Sequence, residues 1–77
     1  LMNLLKRAAL AHDFVESARV AHQLAGIASV IGAKQMHAQS LNLEHASKEK
    51  DTYRANVSLD ELQRAYEDVM QWIKTKT

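Results

Sequence analysis

AHQLAGIASVIGA, residues 21–33, is the longest apolar run in the chain, and it carries one histidine near its start. Each residue of a helix turns by about 100°, which places four apolar residues within about 40° of the side opposite His22: Val20, Leu24, Ile27 and Ile31. This stripe predicts a buried face. The neighbours of His22 on its own side are mostly small: Ala18, Arg19, Ala25, Gly26 and Ser29. The run therefore predicts a histidine that stands on a flat patch of a rigid helix, within reach of another macromolecule.

The composition predicts an all-α protein. Hydrophobic residues make up 47% of the 77 residues but aromatic residues only 5%, and the chain has no proline and no cysteine. Such a composition favours helices over a sheet, and it provides neither disulfides nor zinc-thiolate sites. A chain of this length can bury one modest core, so we expect one domain over residues 1–77.

The charge balance excludes several classes of partner. The 10 basic and 9 acidic residues give a formal net charge of +1, without the dense basic surface of a nucleic-acid-binding protein. The apolar run is shorter than the roughly 20 residues that span a bilayer, and the first charges follow apolar residues, unlike those of a secretory signal. We therefore expect no nucleic-acid partner, no membrane insertion, and a monomer when the domain is isolated.

Apolar spacing and capping residues predict the first two helices. Leucines and alanines at helical spacing predict a first helix from Leu1 to about His12. We expect this short helix to be the remnant of a longer one that begins outside this chain. Asp13 and Glu16 form a capping-box pattern that opens a second helix over 14–31, and Gly32 ends it.

Two further helices complete the predicted fold, an antiparallel up-down-up-down four-helix bundle. The third runs from about Ala33 to about Lys50 and closes on a charged, solvated end, residues 48–51. Its inward residues are small and few: Ala33, Met36, Ser40, Leu43, Ala46 and Ser47. Residues 52–57 have no clear period and predict a connection. Ser58 and Glu61 then form a second capping-box pattern, which opens an amphipathic fourth helix with Leu59, Leu62, Tyr66, Val69 and Ile73 on one face.

The motifs of self-sufficient enzymes are missing. No glycine-rich phosphate loop is present, so the chain has no ATP site of its own, and no serine lies in a nucleophile-elbow pattern. The four histidines are His12, His22, His37 and His45. No two of them are three or four residues apart, as metal ligands on one helix face would be, and we predict no metal site. We interpret the other three as solvated or half-buried residues and take His22 as the functional candidate.

Residues 21–26, followed by Gly32 and Ala33, resemble the histidine-containing phosphotransfer (HPt) domain of bacterial two-component phosphorelays. The pattern of that family is His-x-Leu-Lys-Gly, with a Gly-Ala pair at the end of the same helix. A Leu-Glu pair is common on the next helix, and Leu43-Glu44 stands at that position. The resemblance covers roughly residues 10 to 51 by motif and the remainder as a helical pattern.

The resemblance implies a phosphorelay carrier in which His22 is the phosphoacceptor. HPt domains accept a phosphoryl group from the aspartyl phosphate of a receiver domain and pass it to the aspartate of another receiver. The implied partners are response-regulator receiver domains, which bring the metal ion, so the carrier needs no cofactor. The implied setting is cytoplasmic, either as the terminal module of a hybrid sensor kinase, including a membrane-bound one, or as a separate shuttle protein. Ala18, Leu24, Ala25, Gly26 and Ser29 are expected to form the docking face.

One residue departs from the family pattern. Ala25 stands where the family usually has a lysine, which is thought to help hold the phosphoryl charge. Arg19, about 60° from His22 around the helix, and Lys34 are the candidates to supply that charge instead. Glu44 is the candidate to orient the imidazole ring. Plain solvation of Arg19, Lys34 and Glu44 is the alternative for each of them.

Three other interpretations of the whole chain stay open at this point, of which the third is a structural fragment without a function of its own. The first is a non-catalytic module of the same fold that docks a receiver or another helix without phosphorylation of His22. The second is a bundle that binds a metal or cofactor through histidines from several helices.

Overall fold

Four α-helices account for nearly all of the part of the chain that the structure describes, residues 1–76 of a computed structural model. The helices are α1 (Met2–Leu10), α2 (Phe14–Ile31), α3 (Lys34–Lys48) and α4 (Thr52–Lys76), and no strand occurs among these residues. Each helix packs against the next one in the chain, in a body of 38 × 19 × 17 Å. Short connections between packed neighbours make the helices alternate in direction, so the predicted all-α four-helix bundle is confirmed.

All three connections use the same backbone turn. His12, Gly32 and Lys50 adopt left-handed conformations, with φ of 55°, 74° and 56°. In each turn the next residue donates its N–H to a carbonyl five residues back, as Ala33 does to Ala28 at 2.9 Å. This is the Schellman arrangement, which satisfies the carbonyls at a helix end. The prediction that Gly32 ends α2 is therefore confirmed. His12 and Lys50, which are not glycines, adopt the same conformation after α1 and α3.

Aspartates cap the helices that follow two of these turns. The Asp13 Oδ1 atom accepts a hydrogen bond from the Glu16 N–H at 3.1 Å, as predicted. The reciprocal half of the capping box is absent, because the Asp13 N–H donates to Ala8 and the Glu16 carboxylate pairs with Arg19. At α4 the Asp51 Oδ1 atom accepts from the Arg54 N–H, also at 3.1 Å.

The predicted start of the fourth helix at Ser58 is wrong. Asp51 caps α4, so the helix begins at Thr52 and Ser58 lies two turns inside it, in a buried position. The helix start at Thr52 is not evident from the sequence, because only Ala55 among residues 52–57 turns toward the bundle, and Ala55 is only half-buried. A solvated helical segment shows no apolar period.

Replacing Asp51 by alanine tests where α4 begins. The substitution removes a side-chain cap, and we expect it to lower the free energy of unfolding by about 1 kcal/mol. The matched variant Ser58→Ala changes a helix-interior position and should stay within about 0.5 kcal/mol of the wild type. Urea unfolding followed by circular dichroism measures both. A larger loss of stability in Ser58→Ala than in Asp51→Ala would instead indicate that the helix begins at Ser58.

The core lies between the four helices and depends on how far α1 extends along α2. Val20 and Leu24 are buried as predicted, but Ile27 and Ile31 are exposed, so the second half of the predicted stripe is wrong. The reason is length. The nine residues of α1 reach about 13 Å along the 18 residues of α2, which extend about 27 Å. The last two turns of the stripe therefore lie beyond the helix that would cover them.

Small residues allow α2 and α3 to pack close together. This close packing determines which α3 side chains can reach the exposed face of α2. The predicted inward residues of α3 are confirmed, with Met36, Ser40, Leu43, Ala46 and Ser47 buried and Ala33 half-buried at the N-cap. Alanines face them from α2, where Ala21, Ala25 and Ala28 are buried. Thin side chains on both helices permit a close approach of the two backbones. A long side chain on α3 can consequently reach the exposed face of α2.

Candidate functional site

His22 lies near the middle of α2 and points away from the core, with 74% of its side chain exposed. Its Nδ1 atom is 3.2 Å from the Oε1 atom of Glu44, which belongs to α3. A carboxylate oxygen can only accept, so Nδ1 is the donor in this hydrogen bond. A neutral ring then carries its lone pair on Nε2. The structure thus brings together His22 and Glu44, and this geometry makes Nε2 the available nucleophile.

Glu44 is held at both carboxylate oxygens. The Oε2 atom is 3.0 Å from the Nζ atom of Lys48, one turn further along α3, and only 12% of the Glu44 side chain is exposed. Burial by itself raises the pKa of Glu44. Hydrogen bonds and Coulombic attraction from Lys48 and His22 outweigh that effect and leave the pKa of this carboxyl below its ordinary value of 4.5. Glu44 is therefore an anion at neutral pH, positioned as a fixed acceptor for the imidazole.

A cleft of about 740 Å³ opens beside His22, between the first half of α2 and the end of α3. One wall is apolar and consists of Phe14, Val15 and Ala18, with Val15 almost fully exposed. Three cations line the same cleft: Arg19, Lys48 and Lys50. An apolar wall with a basic rim suits a partner surface that has apolar contacts around an acidic centre.

Gly26 lies one turn beyond His22, at an exposed position inside α2. A Cβ atom placed there would meet nothing within 4 Å, and the residue does not have the positive φ that requires glycine. Glycine costs about 1 kcal/mol relative to alanine inside a helix. The packing of the bundle therefore does not explain a glycine at this position.

Only part of the predicted docking face lies on the surface. Gly26 and Ser29 are exposed and Ala18 is half-buried, but Leu24 and Ala25 retain only 2% and 4% of their exposure. The prediction that Leu24 and Ala25 help to form a docking face is therefore wrong. Both side chains are buried among the apolar residues of the bundle.

The two predicted cations occupy different places. Arg19 lines the His22 cleft, where its guanidinium pairs with the Glu16 carboxylate three residues earlier. Lys34 begins α3 and lines a separate hollow that it shares with Ser29 and His37. That hollow is at the opposite end of α3 from Lys48. The structure does not bring Lys34 to His22.

The other histidines have separate surroundings. His37 is half-buried, and its Nδ1 atom donates to the backbone carbonyl of Ala25 at 3.0 Å. His12 and His45 are exposed. Within residues 1–76, no group of three or more metal-ligating side chains lies close enough to hold a metal ion. None of the helices in this described part is both long and apolar enough to cross a membrane.

Lys48 is the site residue that the sequence prediction missed, together with the apolar wall at Phe14 and Val15. The sequence pattern of residues 48–51 predicts only a solvated helix end. A signal for Lys48 was nevertheless present, because Glu44 and Lys48 are four residues apart in the orientation that favours an ion pair on a helix. Nothing in the sequence indicates that Val15 belongs to the site, because it is simply an apolar residue outside the stripe.

The comparison with protein families decides the class. The family model described as the Hpt domain matches residues 1–72. The chain belongs to the Hpt domain family. Comparison with curated proteins gave no match, and neither did comparison with solved structures.

Membership gives the Hpt domain its general function. Hpt domains are components of two-component phosphorelays, in which they carry a phosphoryl group on a histidine and interact with receiver domains. The match includes all of α1, α2 and α3 and most of α4, so it contains His22, Glu44 and the cleft between them. The general activity of this Hpt domain is therefore histidine phosphotransfer in signal transduction.

Proposed function

We propose that this Hpt domain accepts a phosphoryl group on Nε2 of His22 from the aspartyl phosphate of a receiver domain and passes it to the aspartate of another receiver. The observation that carries the proposal is the Nδ1–Glu44 hydrogen bond on an otherwise exposed imidazole. It holds the ring through Nδ1, and Nε2 belongs to a side chain that is mostly exposed. A nucleophile held in this way needs little reorganisation before an in-line attack.

The transfer step follows from these groups. The lone pair of Nε2 attacks phosphorus while the bond from phosphorus to the aspartyl oxygen breaks, and the receiver carboxylate leaves with that electron pair. The ring keeps its Nδ1 proton and gains positive charge as the bond from phosphorus to nitrogen forms. Glu44 lies against that proton at 3.2 Å and stabilises the developing charge. The receiver supplies the metal ion, and the Hpt domain needs no cofactor of its own.

The cleft beside His22 and the clearance at Gly26 form the proposed docking surface. Phe14, Val15 and Ala18 give apolar contact area next to the nucleophile, and Arg19 adds positive charge at the rim. The aspartyl phosphate of a receiver is itself anionic, so opposite charges meet on docking. The surface lies toward the beginning of α2, and the buried residues Leu24 and Ala25 take no direct part in it.

Incubation with a receiver domain that carries radioactive phosphate on its aspartate tests the proposal. We expect label to move to the Hpt domain in a form that is stable in alkali and labile in acid, as a phosphohistidine is. A second receiver added afterwards should remove the label. Binding of a receiver that is equally strong in His22→Ala, without any transfer by the wild type, would instead show a docking module that is never phosphorylated.

Alanine at position 26 should separate folding from transfer. Gly26→Ala is expected to raise the free energy of unfolding by roughly 0.5–1 kcal/mol, because the added Cβ meets open space and alanine loses less backbone entropy than glycine on folding. Gly26→Leu should also fold but slow transfer by at least about tenfold, because the side chain obstructs docking. Asp60→Leu, which adds the same side chain at an exposed position of α4, is the control. Transfer by Gly26→Leu at the wild-type rate would remove Gly26 from the docking surface.

A further inference from the structure

Three charged or titratable side chains form a continuous chain across the α2–α3 seam. Lys48 Nζ contacts Glu44 Oε2 at 3.0 Å, and Glu44 Oε1 contacts His22 Nδ1 at 3.2 Å. Each carboxylate oxygen therefore has its own partner. The middle member is mostly buried, whereas 65% of the Lys48 side chain is exposed. An arrangement of this kind fixes the direction of the carboxylate as well as its charge.

We propose that Lys48 is a positioning residue for phosphoryl transfer: it orients Glu44, so that Glu44 retains the Nδ1 proton of His22 and Nε2 stays the nucleophile. The inference rests on the proposed function of His22 and adds a residue to it. Lys48 acts through Glu44 in this account. It touches neither the imidazole nor the phosphorus.

Charge balance explains why the site needs a cation at this place. The incoming phosphoryl group is anionic, and a bare carboxylate beside the imidazole would repel it. Lys48 compensates Glu44, so the phosphoryl group meets a nearly neutral pair. The same cation opposes protonation of Glu44, which burial favours. Glu44 can therefore accept the hydrogen bond from Nδ1 of His22 without repelling the phosphoryl group.

The other cations of the cleft do not duplicate this contact. The Arg19 guanidinium pairs with Glu16. Lys50 lines the cleft from the left-handed turn after α3, and its ammonium makes no ion pair with Glu44 among the described residues. Lys50 belongs to the cleft surface, so the matched control is Lys6 on α1, which lines a separate hollow. Replacing Lys6 removes the same charge and leaves both the cleft and the Lys48–Glu44–His22 contacts intact.

The test is a double-mutant cycle between Lys48 and Glu44, with transfer from a phosphorylated receiver as the measured rate. We expect Lys48→Met to slow transfer about fivefold, Lys48→Arg to restore most of the rate, and Lys6→Met to have little effect. In a Glu44→Gln background, Lys48→Met should cause almost no further loss, because Lys48 acts through the carboxylate. An equal loss in both backgrounds, or an equal loss in Lys6→Met, would overturn the proposal.

Nuclear magnetic resonance of the unphosphorylated protein gives a readout that does not depend on transfer. In Lys48→Met the pKa of Glu44 should rise, and the nitrogen-15 shifts of His22 should show a smaller fraction of the Nδ1–H tautomer. Unchanged values in this variant would overturn the role of Lys48. If the wild type accepts no phosphoryl label but Lys48→Met still changes these values, the proposed function is wrong. The positioning of Glu44 and His22 by Lys48 is then still supported.

Discussion

Replacement of His22 by glutamine is expected to lower acceptance of the phosphoryl group by at least about a thousandfold, because no other group can take the place of the lost nucleophile. The amide nitrogen of glutamine can still donate to the Glu44 carboxylate, so the variant keeps a partner for that buried anion. The measurement is the initial rate of label transfer from a phosphorylated receiver.

The controls for this variant separate chemistry from folding. The side chain of His22 is mostly exposed, so we expect its replacement to change the free energy of unfolding by no more than about 0.5 kcal/mol. His45→Gln removes an exposed histidine near the end of α3 and should transfer at the wild-type rate. Comparable labelling of His22→Gln and the wild type would contradict the assignment of the phosphoacceptor.

Leu24→Ala is expected to lower the free energy of unfolding by about 3 kcal/mol, because it opens a cavity in the centre of the bundle. Leu24 is almost completely buried and belongs to the cluster that contains Leu5, Leu43 and Leu62. A domain of this size is stable by roughly 5–10 kcal/mol, so the loss is a large fraction of the total. Denaturant unfolding of the purified variant measures it.

Ile27→Ala is the matched control for that loss. Ile27 belongs to the same sequence stripe as Leu24, but 44% of it is exposed beyond the reach of α1. We expect its replacement to cost less than about 1 kcal/mol. Equal losses for the two variants would mean that the stripe is buried along its whole length, as the sequence alone predicted, and that the observed packing of α1 against α2 is incorrect.

Local signals predicted the parts of the fold that local chemistry determines. Asp13 and Gly32 set the two ends of α2, and both positions follow from capping preferences that any helix obeys. The start of α4 escaped prediction because Lys50 adopts a left-handed conformation that a lysine rarely takes. With Lys50 closing α3, Asp51 becomes a cap, and nothing in the sequence marks Lys50 as special.

The remaining features of the fold and the site depend on how the helices pack against one another, which the sequence alone does not show. The helical angles separated His22 correctly from the core stripe, yet they could not show that α1 is too short to cover Ile27. Ala25 lies only about 60° from His22 around α2, and the position of α3 decides that this side is covered. In the same way, Glu44 could be named as a neighbour of His22, while Lys48 became part of the site only through its contact with Glu44.

The most direct test of the central claim is the position of phosphorus on the phosphorylated domain. A nitrogen-15 histidine label combined with phosphorus detection identifies the bonded atom after transfer from a receiver. The account predicts one phosphorus signal, coupled to Nε2 of His22, with Nδ1 still protonated beside Glu44. Phosphorus bonded to Nδ1 of His22, or to any other residue, would contradict it.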